Sequence, residues 1–150
     1  MTSLLIFLCM AACFAAMSVV LGAEVQTLGP PVSVPPATET VVLTGFAVTL
    51  PSDHAKAAIR GWLDITLGTA TTGLTVSVFR GTTVTGTLVG TRSPDITTVP
   101  ALGSLRVQVE FVDVLSNVGG AQYTMSVRTT GATDAGNVTA ALLDTTLLSG

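Results

Sequence analysis

From Thr40 to Leu147, between turns, the chain is a series of short runs rich in Val, Ile, Leu and Thr in which apolar side chains tend to recur at every second position. A period of two places alternate side chains on opposite faces of an extended chain, whereas an amphipathic helix needs 3.6. Leu105–Val112 is the plainest case: Leu105, Val107, Val109 and Phe111 alternate with Arg106, Gln108 and Glu110. In Ala57–Leu67, Ile59, Gly61, Leu63, Ile65 and Leu67 share one face, and Arg60, Trp62, Asp64 and Thr66 share the other. The same reasoning predicts strands over Thr40–Leu50, Leu74–Phe79, Val84–Thr91, Ile96–Val99, Tyr123–Arg128 and Val138–Leu147. Turn residues separate them, as in Pro51-Ser52-Asp53, Thr71-Thr72-Gly73 and Asn117-Val118-Gly119-Gly120. A single helical turn is expected near Asp53–Ala58. The sum is an all-β head, an antiparallel β-sandwich of seven to eight strands, with turns about every 8–12 residues. Strand count and long loops favour a two-sheet jelly roll over an immunoglobulin sandwich, which would want a Cys–Trp–Cys core.

Ahead of this head the first charged side chain is Glu24, and Thr2 to Ala23 are all apolar or small. As a helix that stretch would rise about 33 Å, close to the thickness of a bilayer's hydrocarbon core. The chain is expected to begin with a single hydrophobic α-helix over residues 1–23, a membrane anchor carried by Leu4, Leu5, Ile6, Phe7, Leu8, Phe14, Val19, Val20 and Leu21. A cleaved secretory signal is the other reading, since Val20-Leu21-Gly22 and Leu21-Gly22-Ala23 offer small-residue cleavage sites. No basic residue precedes Lys56, which suits an anchor better than a signal. Ala11, Ala15, Ser18 and Gly22 would line one side of the helix and permit close helix packing in lipid. Residues 24–39 read as a Pro-rich linker: Pro30-Pro31 and Pro35-Pro36 forbid helix and favour an extended strut. Residues 40–150 form the head.

Composition excludes several functions. The net charge of −3 comes from six cations and nine anions, and the cations are scattered singly, so phosphate-backbone binding to nucleic acid is disfavoured. Both cysteines, Cys9 and Cys13, lie in the apolar front end, leaving the head without disulfides or thiolate ligands. His54 is the only histidine, in a turn beside Asp53, and no Gly-x-Ser-x-Gly elbow accompanies it. One His and no head Cys leave a transition metal without ligands. Asp134 in the loop Gly131–Asn137 is a lone carboxylate for a calcium site. Glu110 and Asp113 are offset along one strand and make no acid–base pair. Asn137-Val138-Thr139 matches a glycosylation acceptor. No enzyme activity and no cofactor are expected. Arg60 and Trp62, together on the face opposite the apolar one, are the candidate interface residues; the alternative is that they form the second face of a sandwich strand.

Two stretches carry a resemblance. Ser77-Val78-Phe79-Arg80-Gly81-Thr82-Thr83-Val84-Thr85-Gly86-Thr87-Leu88-Val89-Gly90 resembles a strand–turn–strand of small virion proteins, and Tyr123-Thr124-Met125-Ser126-Val127-Arg128-Thr129-Thr130-Gly131-Ala132-Thr133 is similar to a closing strand of the same domains. These are phage decoration, spike and minor capsid proteins with a tumour-necrosis-factor-like jelly roll. The resemblance covers residues 40 to 147 and implies a structural role in a virion, on a capsid lattice or as a homo-oligomer, with a trimer favoured. The apolar front end fits a virus that has a membrane. The expected partners are a lipid membrane and other capsid proteins. The alternatives are a cell-surface filament or adhesin subunit, whose helix would normally run past Pro30, and a secreted β-sandwich binding module, which would want more than 5% aromatics.

Overall fold

The computed structural model describes residues 20–49, 54–116 and 120–149. Among them are eleven strands: β1 (Val20–Thr27), β2 (Val32–Val34), β3 (Thr40–Thr44), β4 (Val48–Thr49), β5 (His54–Thr66), β6 (Gly73–Arg80), β7 (Thr87–Arg92), β8 (Ser104–Ser116), β9 (Gly120–Ala121), β10 (Tyr123–Thr130) and β11 (Gly136–Ser149). They form two principal antiparallel sheets. The front sheet runs β1–β11–β5–β8, with β2 pairing β11 beyond the end of β1, and the back sheet runs β3–β10–β6–β7. β4 and β9 make a separate two-strand ladder.

The alternation that predicts strands also supplies the core. Ile59, Leu63 and Ile65 of β5, Val107 and Val109 of β8 and Leu143 and Leu147 of β11 face Leu74, Val76 and Val78 of β6 and Tyr123, Met125 and Val127 of β10 in one cluster, all at most 5% exposed. Each such side chain contributes about 1.5–3 kcal/mol by leaving water. β7 and β8, one from each sheet, run along the same side of the sandwich, where the half-buried Phe111 ring lies against Gly90; a Cβ at Gly90 would overlap the ring.

The structure corrects the sequence reading at several points. Of the expected helix over 1–23, the anchor positions Leu4, Leu5, Ile6, Phe7, Leu8, Phe14 and Val19 lie outside the described residues. Val20 and Leu21 belong to β1, a strand: Val20 pairs with Leu148, and Gly22 to Thr27 pair in sequence with Leu147 to Leu142. The front end's last residues find an open edge on β11, and the ladder there takes up the backbone groups on that side of β1. Among the described residues no helix is long and apolar enough to cross a membrane. Part of the expected linker is likewise sheet: β1 continues to Thr27, and Val32–Val34 pairs with Val138–Gly136. Proline is tolerated there because it flanks β2 rather than interrupting it.

Thr40–Leu50 breaks at Gly45, whose N–H donates to the Tyr123 carbonyl (2.9 Å) while Glu24 Oε1 accepts the Phe46 N–H (2.6 Å). Where a helical turn is expected near Asp53–Ala58, His54–Ala58 is the start of β5 and Asp53 lies outside the described residues; His54 is a strand residue paired with Ser116. Ile96–Val99 is a turn, closed by the Val99 N–H on the Ile96 carbonyl (3.0 Å), with Ile96 itself buried. Asp95 caps it by accepting from the N–H (2.9 Å) and hydroxyl (2.7 Å) of Thr97, which holds the Asp95 carboxyl below its ordinary range.

Candidate functional site

The register of the front sheet lays its outward side chains in rows. Val25, Asp144, Arg60 and Glu110 make one row; Thr27, Leu142, Trp62 and Gln108 make the next. Beyond them Asp64 sits opposite Arg106, and on the other side Ala23, Thr146, Ala58 and Val112 precede Leu148, Lys56 and Val114. The inward neighbours of the β5, β8 and β11 residues in these rows belong mostly to the core, so the backbone of those strands is held by the packing beneath.

Arg60 and Trp62 do share this outer face. Arg60 Nε reaches Glu110 Oε1 at 3.1 Å, with both side chains about 70% exposed (68% and 71%), so the pair is screened and adds little stability. Trp62 is half-buried beneath the Arg106 guanidinium, which lies 4.2 Å from the ring centroid. Arg106 also grips Asp64 with two bonds, Nε to Oδ1 and Nη2 to Oδ2, each 2.7 Å. The hydrogen bonds from Arg106 hold the Asp64 carboxyl below its usual range, against a smaller opposing effect of burial. The same bonds raise Arg106. Trp62, Arg106 and Asp64 therefore form one connected cluster. Arg106 as the partner of both is missing from the sequence reading, because only the β5–β8 register sets it opposite Asp64. The alternation in β8 does place it on the polar face.

Towards one end the face turns apolar. Val112 and Val114 are 64% and 68% exposed there; Val25, 56% exposed, stands apart on β1 in the row of Asp144, Arg60 and Glu110. Their signal was present: the β8 alternation continues past Phe111 and puts both Val112 and Val114 on the side of Glu110.

Chemistry-bearing groups elsewhere are committed to structure. Asp113 faces inward, opposite in sense to Glu110; its Oδ2 accepts from the Tyr123 hydroxyl (2.9 Å) and forms an ion pair with Arg80, whose Nε lies 3.3 Å away. Burial, reinforced by the hydrogen bond to Asp113, pushes the Tyr123 hydroxyl well above its ordinary pKa. Asp134 spends its oxygens on the Thr69 N–H and, at 2.9 Å, the Thr69 hydroxyl, closing one loop on another. Among the described residues no three His, Cys, Asp or Glu side chains gather as metal ligands. Asn137 and Thr139 are exposed at the start of β11, with Val138 buried between them.

No protein-family model matches the chain, and no curated protein matches it. Solved structures with similarity include a Bacillus endospore appendage described as a disulfide-linked pilus, at 19% identity over 89% of this chain and 91% of that one, TM-score 0.40. A second is VP2 of infectious bursal disease virus in a subviral particle, at 13% identity over 86% of this chain, TM-score 0.45; this chain spans 37% of VP2. A third is the C-terminal CBM6 of LamC, a marine laminarinase from Zobellia galactanivorans, at 16% identity over 83% of this chain and 91% of that one, TM-score 0.41.

Proposed function

We propose that this chain is a non-enzymatic structural protein of a virion, a jelly-roll module whose copies pack on one another or on a capsid shell through the outer face of the front sheet. Two antiparallel sheets of five and four strands, with connections that pass from sheet to sheet, support a double-sheet jelly roll. A fold alone does not give a function. The observation that carries the reading is the outer face: Val112 and Val114 at one end of β8 and Val25 on β1 stand more than half exposed, and the same face carries the Trp62–Arg106–Asp64 cluster towards its other end. Apolar area in water favours association by about 25 cal/mol per Å² once covered, and an aromatic with an arginine is the usual composition of an interface anchor. The low charge of the chain, 10% of residues, fits a surface meant to meet like surfaces.

Sedimentation velocity and electron microscopy of the full chain test this. Oligomers or closed particles are expected, and Val112→Glu combined with Val114→Glu should return them to monomers with an unchanged melting temperature. A wild-type chain that stays monomeric at high concentration would refute the reading, and open filaments would favour the cell-surface subunit instead. Attachment to lipid is the finer part of the proposal, motivated by the uncharged residues 2–19. The full chain should float with vesicles while a chain beginning at Val20 should not.

A further inference from the structure

We infer that the free edge of β8 is a docking site for an extended acidic segment of a partner protein, which adds to the front sheet as a further strand beside Arg92. β8 is thirteen residues long and is hydrogen-bonded on one side only, to β5. Its other side meets no strand of its own sheet, and β7, the nearest edge of the back sheet, is bonded only to β6. Two adjoining grooves lie along this edge. One of about 540 Å³ is lined by Arg60, Thr91, Glu110 and Phe111 among others; a second of about 320 Å³ is lined by Pro94 and Arg106. Arg92 and Gln108 line both.

An unpaired strand edge offers a row of N–H and C=O groups that an extended polypeptide satisfies, with alternate side chains left to enter whatever pockets flank it. That favours a polypeptide over a saccharide as the occupant. Charge then selects among polypeptides. Arg60 and Arg106 are matched by Glu110 and Asp64, but Arg92 has no carboxylate partner among the described residues. A surplus cation at the junction of two grooves, in a chain of net charge −3, calls for Glu or Asp on the incoming strand. The Phe111 ring, seated against Gly90, gives an apolar floor for the residue next along. The inference does not rest on the virion reading, and its failure would leave self-packing of the outer face untouched.

The probe is a short fluorescent peptide of alternating Val and Glu, with Val–Lys and Val–Gln peptides beside it, titrated against the full chain and followed by anisotropy. The Glu peptide should bind at least about tenfold tighter than the Lys peptide, and Arg92→Gln should erase about tenfold of that affinity, the scale of one charge-assisted contact. Hydrogen exchange should slow along Arg106–Val112 when the Glu peptide is present. Arg92 is exposed, so an unchanged melting curve for the variant separates lost binding from lost folding. Equal binding of the Glu and Lys peptides, or binding without protection of β8, would overturn the inference. So would displacement of the peptide by polygalacturonate at equal charge, which would make the edge a site for acidic glycans.

Discussion

Tyr123 and Asp113 show how much one residue can hold. The hydroxyl is buried between the sheets and donates to a carboxylate that also meets Arg80. Removing that donor in Tyr123→Phe weakens the satisfaction of a buried charge and should cost about 1.5–3 kcal/mol in denaturant unfolding. The pH dependence has a definite sign. The folded hydroxyl titrates above its unfolded value of about 10, so the stabilisation is complete below that pH and is lost as pH rises, because the unfolded chain releases the proton first. An alkaline unfolding limb should therefore appear above pH about 10 and shrink in Tyr123→Phe; an unchanged limb would assign it to another group. The chain has a single tyrosine, so tyrosinate absorbance reads this residue alone. Ala37 is a second residue-scale case. It holds φ of 56° at the third position of a Pro35–Thr38 turn, closed by the Thr38 N–H on the Pro35 carbonyl (3.4 Å). That position of a type II turn favours glycine. Relief of the left-handed strain outweighs the added freedom of the unfolded chain, so Ala37→Gly should raise stability by about 0.5–1 kcal/mol, measured as a shift in denaturation midpoint.

At the scale of elements, the period of two made β5, β6, β8, β10 and β11 legible, including which side chains face the core. Ile59, Leu63 and Ile65 are buried, and Arg60, Trp62 and Asp64 are outside, as the alternation predicts. The pairing partners were not legible, because period two fixes a face and leaves the register open. Hence the alternation gives Trp62 its face, and only the register sets Arg106 above its ring. β1 is hidden for a different reason: its first four residues end an apolar run that suits a buried strand and a membrane helix alike, and its last four, from Glu24, carry no clear period. Gly90 shows what register adds. β7 is a short edge strand whose pairing with β6 shifts between Val78 and Phe79, close to where Gly90 admits the Phe111 ring of β8. Gly90→Ala must move either the ring or the strand, and overpacking of this kind costs about 1–3 kcal/mol. Hydrogen exchange should quicken through Thr87–Arg92 while β5 and β11 keep their protection. Unaltered exchange in β7 would mean that the ring moves freely.

At the scale of the whole molecule, the two ends of the described chain lie side by side. β1 pairs with β11 through Val20↔Leu148 and Thr27↔Leu142, and Glu24 of β1 also secures the Phe46 N–H in the loop after β3. The sheet therefore closes through its most distant sequence contact. Folding of such a topology must bring far segments together before they are stabilised, which makes it slow. It also means that β11, the strand paired with β5 along most of its length, depends on β1 to cover its other edge. A chain beginning at Leu28 should unfold at a lower denaturant concentration than one beginning at Val20, because it lacks the seven-pair ladder to β11 and the Glu24 contact with the Phe46 N–H. The uncovered edge of β11 should then pair between molecules, so the shorter chain should elute as concentration-dependent aggregates while the longer one keeps its native assembly. If both chains unfold at the same denaturant concentration and elute alike, β1 is an ornament of the sheet and the front end is free to serve elsewhere. If only the shorter one fails, the residues first read as the tail of a membrane helix are instead the strand that completes the sandwich.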